Sequence, residues 1–250
     1  MNIKIDGKYY KGNDGETLLE LAKRNKIEIP SLCHKKGFEG LGRCRLCLVE
    51  VKEGKRTKIV SSCVYPIKDG IEVLTNTERI IKMRKDIVLL LLLRTPNNEY
   101  IKELAREYDV EAPERYLNID EKEDCILCGL CVKACEKLGT SAISLVNRGT
   151  TKKVSTPYDD ASKDCIGCGA CAEVCPTDAI SLVDHDGKRT IWNRTFNLVK
   201  CSRCGKYYTT EDALHFIDDK LGIENEERLC ESCNKRVMGE KFKEAFENIF

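Results

Sequence analysis

Apolar and polar residues alternate along Asn2-Ile3-Lys4-Ile5-Asp6-Gly7-Lys8. That period of two predicts a strand that turns at Asp6-Gly7 into a hairpin. The period then changes. Over 17–26, Leu18, Leu21 and Ala22 recur at helical spacing, and Pro30 follows. Residues 46–51, 58–64 and 71–74 return to strand-like composition. A helix is predicted over 77–94, ended by Pro96, and a second over 98–108. The first of these contains the most apolar run, 87–93, closed by Asp86 and Arg94. A bilayer needs about 20 apolar residues, so the run predicts a buried helix and no membrane span. Residues 121–184 read as two related half-units. Beyond them, a helix is predicted over 211–221, with Thr210 as N-cap and Gly222 as stop, and an amphipathic helix over 234–250.

Cysteine usage decides what this pattern is for. The chain has 16 Cys in 250 residues. They fall into four groups of four: Cys33/Cys44/Cys47/Cys63, Cys125/Cys128/Cys131/Cys135, Cys165/Cys168/Cys171/Cys175 and Cys201/Cys204/Cys230/Cys233. None is left over, which is what metal sites built from complete thiolate sets require. A disulfide framework would need an oxidising compartment. Met1 to Asp6 shows no charged segment leading into an apolar run, so a cytoplasmic protein is expected. The formal charge of +1, with 33% charged residues of both signs, argues against nucleic acid as a partner.

In the first group the spacing is Cys33-x10-Cys44-x2-Cys47-x15-Cys63. Three thiols come from one loop and a distant fourth closes the set, with Gly37, Gly40 and Gly42 keeping the loop free of side chains. Backbone N–H groups can then turn towards sulfur, which raises a reduction potential. Zinc is the alternative, but the spacing is too unequal for the usual knuckles. His34 adjoins a ligand, yet a Rieske site needs two His on one iron, and the chain has only His34, His185 and His215. The segments Ile29-Pro30-Ser31-Leu32-Cys33, Gly42-Arg43-Cys44-Arg45-Leu46-Cys47-Leu48-Val49-Glu50-Val51 and Ser62-Cys63 resemble a known [2Fe–2S] domain. It occurs in the large iron–sulfur subunit of respiratory complex I, in iron-only hydrogenases, and in diaphorase and NAD-linked formate dehydrogenase subunits. The resemblance implies a β-grasp ferredoxin fold and a [2Fe–2S] cluster on Cys33, Cys44, Cys47 and Cys63.

The second and third groups are the bacterial run for two [4Fe–4S] clusters, in which the fourth Cys of each run serves the other cluster. One cubane is therefore expected on Cys125, Cys128, Cys131 and Cys175, and the other on Cys135, Cys165, Cys168 and Cys171. Glu136 stands where Pro is usual, as at Pro176, and is expected to change the loop more than the ligation. Around the cysteines, Ala142-Ile143, Asn147-Arg148-Gly149 and Cys175-Pro176-Thr177-Asp178-Ala179-Ile180 resemble the same family, so the two matches cover most of residues 1–184. A free ferredoxin would be a single small acidic domain, unlike this chain. Residues 86–120 hold neither Cys nor His, so the family's additional cluster on one His and three Cys is missing. Hydrogenase active-site motifs and a Gly-rich dinucleotide fingerprint are missing too.

The fourth group, Cys201-x2-Cys204-Gly205 and Cys230-x2-Cys233, reads as a structural zinc knuckle, with a third [4Fe–4S] as the alternative. The expected fold is α+β with four parts. These are a β-grasp [2Fe–2S] domain (1–76), a helical connector (77–120), a two-[4Fe–4S] ferredoxin domain (121–189) and a four-cysteine module (190–250). The resemblance implies an electron-transfer subunit without a catalytic site. Its expected partners are a flavin and NAD(P)-binding subunit, and a hydrogenase or other redox subunit or soluble ferredoxin, electron bifurcation included. The competing class is a redox-sensing or zinc-dependent interaction protein. Lys133, Lys137, Arg43 and Arg45, close to ligands, form either a solvated face or a surface that steers an acidic partner.

Overall fold

The computed structural model describes residues 1–116, 123–222 and 227–247. The chain divides into two compact units that interleave along the sequence. One holds residues 1–133, 145–154 and 174–179; the other holds 134–144, 155–173 and 180–250.

The first unit opens with β1 (Asn2–Ile5), β2 (Lys8–Lys11), α1 (Leu18–Arg24), β3 (Leu48–Glu53), β4 (Arg56–Ser61) and β5 (Glu72–Leu74). The strands form one sheet in the order β2-β1-β5-β3-β4. Only β1 and β5 are parallel, while the other neighbours are antiparallel, which is the β-grasp arrangement expected from the sequence. Asp6 and Gly7, at φ 46° and 86°, make the tight turn between β1 and β2. α1 starts with a capping box: Thr17 Oγ1 accepts the Glu20 N–H, and the Glu20 carboxylate accepts the Thr17 N–H. Leu18, Leu19, Leu21 and Ala22 of α1 are buried against Ile3, Ile5, Val49, Val51 and Val73 of the sheet. Burying one such Leu contributes about 1.5–3 kcal/mol. The strand read over 46–51 starts at Leu48, because Leu46 and Cys47 still belong to the ligand loop. The strand read over 58–64 ends at Ser61, short of Cys63.

The connector helices are α2 (Glu78–Arg94) and α3 (Glu99–Glu107), capped by Thr77 and Asn98. α2 packs against β3 and α3 and buries one stripe, Ile80, Arg84, Val88 and Leu92. The apolar run over 87–93 is therefore only half buried, and Leu90 is 67% exposed. No described helix is long and apolar enough to cross a membrane.

α4 (Leu130–Leu138), β6 (Ser144–Val146), β7 (Lys153–Ser155) and α5 (Ala170–Glu173) carry the two half-units, with β6 and β7 paired. The second unit adds β8 (Leu182–His185), β9 (Lys188–Ile191), β10 (Arg194–Lys200) and β11 (Tyr207–Thr210), a sheet in the order β11-β10-β9-β8. The sequence reading did not anticipate this sheet. Its only buried apolar side chains are Ile191 and Phe196, too few for an alternating signal. β9 spans residue 190, where the reading starts the last module. α6 (Glu211–Leu221) follows with the expected ends: Thr210 Oγ1 accepts the Ala213 N–H, and Gly222 stops it at φ 63°. α7 (Glu231–Glu247) begins three residues before the predicted 234. Its expected end at 248–250 and the expected boundary at 120/121 lie outside the described residues.

Candidate metal centres

In the first unit, Cys33, Cys44, Cys47 and Cys63 converge and are all buried. Cys33 Sγ and Cys44 Sγ are 3.4 Å apart. The Leu32 N–H donates to Cys44 Sγ and the Cys44 N–H to Cys33 Sγ, each at 3.4 Å. Gly40 makes the approach possible: a Cβ there would sit 1.8 Å from the Cys63 carbonyl oxygen. Hydrogen bonds from the Cys44 and Cys63 side chains pull the Cys33 thiol far down, while Cys44 and Cys63 are pushed up. Cys47, bonded first by Cys63, falls to about 6. The set ionises readily at Cys33 and Cys47 and resists further charge at Cys44 and Cys63, as crowded thiols do without a cation among them. Ser62 Oγ is buried with no protein hydrogen-bond partner, beside a Cys47 whose ionised form it favours. A donor left over next to four thiols suits a group with sulfide acceptors. His34 does not join them; its Nδ1 lies 3.0 Å from Lys23 Nζ.

Cys125, Cys128 and Cys131 share this unit with Cys175, whose charge each of them feels. Burial pushes Cys128 to about 11 and Cys131 to about 12, so the thiols need a metal to ionise at neutral pH. Arg94 Nε donates to the Cys125 carbonyl at 2.7 Å, and Arg94 pairs with Glu123, which accepts the Cys125 N–H. With carbonyls turned outward, N–H groups face sulfur: Leu127 donates to Cys125 Sγ and Ala179 to Cys175 Sγ, both at 3.4 Å. Arg43 lies against this loop, since a Cβ on Gly129 would sit 1.9 Å from its Nη1. Arg45 donates to Ser61 Oγ at 3.0 Å. Arg45 is thus hydrogen-bonded within the fold, and Arg43 packs against the backbone at Gly129.

The second unit gathers Cys165, Cys168 and Cys171 with Cys135 around one cavity, also lined by Ile191 and Trp192. Here Arg194 Nη1 donates to the Cys165 carbonyl at 2.6 Å and Arg189 to the Gly167 carbonyl at 3.2 Å. The Ala142 N–H donates to Cys135 Sγ at 3.2 Å. Leu127 at φ 54° and Gly167 at φ 65° take the same left-handed position in their loops, as do Gly129 and Gly169, which is the backbone trace of the duplication. The half-units differ after the fourth Cys. α4 runs on through Cys135 to Leu138, whereas α5 stops at Glu173 before Cys175-Pro176. Pro176 disfavours helix at Cys175; Glu136 does not, so the missing Pro changes the loop as expected.

Sequence reading missed Trp192. It occupies the two-residue turn between β9 and β10 at φ 50°, with Asn193 at 57°. A bulky side chain there is strained. The turn aims indole Nε1 at Cys171 Sγ, 3.4 Å away. Being the only Trp of the chain was its signal.

Cys201, Cys204, Cys230 and Cys233 form the last set. Their sulfurs all lie within 4.8 Å of one another, and Cys204 to Cys230 is 3.8 Å. A tetrahedral ion with about 2.3 Å bonds to sulfur spaces its ligands by about 3.8 Å. Thiolates on a cubane stand roughly 6 Å apart, because each takes a different iron.

Comparison with known proteins agrees with this geometry. Residues 1–78 match the model of a 2Fe-2S iron-sulfur cluster binding domain, and residues 118–182 that of a 4Fe-4S dicluster domain. A second 4Fe-4S dicluster model matches 164–207. The chain is 30% identical over 179 residues to NADPH-Fe(3+) oxidoreductase subunit alpha of Geobacter sulfurreducens, covering 62% of this chain and 21% of the relative. It is 29% identical over 179 residues to the NADH-ubiquinone oxidoreductase 75 kDa subunit of Reclinomonas americana, covering 62% and 26%. It is 31% identical over 188 residues to NADP-reducing hydrogenase subunit HndD of Solidesulfovibrio fructosivorans, covering 64% and 32%. The chain thus spans a third or less of the length of these relatives. Its fold matches a chain from the crystal structure of NAD+-reducing [NiFe]-hydrogenase in the H2-reduced state, with a TM-score of 0.54 at 24% identity over 62% of this chain and 74% of that one. The protein is a relative of the iron–sulfur subunits of NAD(P)-linked oxidoreductases and hydrogenases, built as a 2Fe-2S domain followed by 4Fe-4S dicluster sequence.

Proposed function

We propose that this chain relays single electrons within an NAD(P)-linked oxidoreductase complex of hydrogenase or formate dehydrogenase type. Its partners would be a flavin and NAD(P)-binding subunit and another redox subunit or ferredoxin, in a bifurcating arrangement or a linear one. Cys33 and Cys44 would hold one iron of a [2Fe–2S] cluster, with Cys47 and Cys63 on the other. Cys125, Cys128, Cys131 and Cys175 would hold one [4Fe–4S], and Cys135, Cys165, Cys168 and Cys171 the second. When bound, these clusters supply one-electron redox chemistry; the chain's own residues set their spacing, shield them and aim N–H groups at their sulfurs. The observation that carries the reading is the sorting of twelve thiols into three sets, with each fourth cysteine in the unit of the other half's triplet.

The fourth set would hold one structural zinc, supported by its short sulfur–sulfur distances. The dicluster match over 164–207, which reaches Cys201 and Cys204, favours a third [4Fe–4S] as second reading. Metal analysis of the anaerobically purified chain separates them. The expected content is about ten irons and one zinc per chain; about fourteen irons and no zinc would overturn the zinc assignment. For the relay, the dithionite-reduced chain should pass its electrons to a flavin subunit. Reduction of NAD by the isolated chain with hydrogen or formate would overturn it.

A further inference from the structure

Arg84 interrupts the buried apolar stripe of α2 between Ile80 and Val88, and is 2% exposed. Its Nε donates to the Leu46 carbonyl at 3.0 Å and its Nη2 to the Leu48 carbonyl at 2.8 Å, the residues on either side of Cys47. Nη2 also donates to the Thr75 carbonyl at 3.0 Å, and Nη1 to Asn76 Oδ1 at 2.7 Å. All four acceptors are uncharged groups, and the Tyr108 hydroxyl also stands beside the guanidinium. The nearby Asp6 carboxylate is engaged elsewhere, accepting from Thr75 N at 2.8 Å and Thr75 Oγ1 at 2.6 Å. A buried cation without an ionised partner is costly, and a guanidinium does not escape by losing its proton. Two negative groups act on it without bonding it, the Cys47 thiolate first and the Asp6 carboxylate second, so the thiolate set around Cys47 supplies the larger counter-charge.

We propose that Arg84 is a positioning residue of the [2Fe–2S] centre: it clamps the two carbonyls flanking Cys47 and raises the centre's reduction potential with a buried positive charge. The proposal rests on the reading of Cys33, Cys44, Cys47 and Cys63 as the [2Fe–2S] site. Two ferric ions, two sulfides and four thiolates carry a double negative charge. One-electron reduction turns one iron ferrous and makes the charge triple, with no bond broken and no proton moved. A fixed cation beside a ligand stabilises the more negative form, so the oxidised-to-reduced equilibrium shifts towards reduction. The guanidinium reaches both flanking carbonyls at once, so it also holds Cys47 in place. A clamp without an electrostatic role would leave the potential alone once the geometry was kept.

The test is an EPR-monitored redox titration of the [2Fe–2S] signal in the full-length holo-protein and three variants. Arg84→Met, which removes the charge, is expected to shift the equilibrium about tenfold towards the oxidised form, a potential lower by about 59 mV. Arg84→Lys keeps the charge and should stay within about threefold of wild type. Asn76→Asp keeps the bond from Nη1 but supplies a carboxylate, and should lower the potential by about threefold in the same equilibrium. An unchanged potential in Arg84→Met at full signal overturns the proposal, as does an Arg84→Lys shift equal to that of Arg84→Met. Should Arg84→Met fail to hold its cluster, Asn76→Asp decides, and an unchanged potential there overturns it. A wild-type chain without the [2Fe–2S] signal would overturn the assignment of the four cysteines, and this proposal with it.

Discussion

The N-terminal sheet domain and the C-terminal module each bring four thiols together, but they support them in opposite ways. Around Cys33, Cys44, Cys47 and Cys63 stands a hydrophobic core of Ile3, Ile5, Leu18, Leu21, Val49, Val51 and Val73. Around Cys201, Cys230 and Cys233 the buried cluster is the cysteines themselves, with Tyr208 and Leu229 partly buried against them. α7 leaves Met238, Phe242 and Phe246 more than half exposed. In the first region the fold makes the site. In the second, under the proposed zinc reading, the site would make the fold, because a small module with little apolar burial is one that a metal staple stabilises.

The largest effect should come from breaking that staple. Structural zinc contributes about 10–16 kcal/mol to folding of small domains. Cys230→Ser, or a strong chelator, should release α7 to rapid amide exchange while the sheet around Ile3 and Leu18 stays protected. Equal loss of protection in both regions would erase the contrast. Next in size, Leu18→Ala should cost about 2–5 kcal/mol in the N-terminal domain, read as a lower denaturation midpoint for that domain alone.

Trp192 sharpens the comparison, since β9 and β10 belong to the same sheet as β11 of the metal module. Trp192→Phe removes the bond to Cys171 Sγ. The centre of Cys135, Cys165, Cys168 and Cys171 should fall in potential by about 20–60 mV, the worth of one ordinary hydrogen bond. No change in a potentiometric titration would reduce that turn to scaffolding. Smaller again, Thr17→Ala should cost about 1 kcal/mol through loss of the capping box on α1. The smallest effect concerns acid. Hydrogen bonds from Arg24 hold the Glu16 carboxyl below its ordinary range. That stabilisation is present above the unfolded carboxyl pKa and is lost as pH falls through the lowered folded one. Glu16→Gln should therefore flatten the acid limb of the N-terminal stability profile.

Much of the site was legible in the sequence, because thiolate ligands must recur at short fixed spacings whatever surrounds them. The left-handed backbone at Gly129, Gly167 and Gly169 belongs to the same local chemistry. The ends of α6 could be read from Thr210 and Gly222 for a similar reason, since caps are made within one turn. Arg84 was not legible. The two acceptors that flank Cys47 lie 36 and 38 residues away, and its one local mark is a charge on the apolar row of Ile80, Val88 and Leu92. The sheet β8 to β11 escaped because most of its side chains face outward. Asp186-Gly187, at φ 49° and 74° between β8 and β9, was its turn signal.

The sequence by itself determined how the sixteen cysteines group by spacing, and that a β-grasp domain precedes a duplicated half-unit. These follow from local spacing and periodicity. Only the tertiary structure decided how far apart the sulfurs of the fourth set stand and which side chains cap the ligand loops. It alone set a buried arginine and a strained tryptophan beside ligand cysteines. Those are properties of distances between residues far apart in the chain, and four thiols in a row of letters carry no distance.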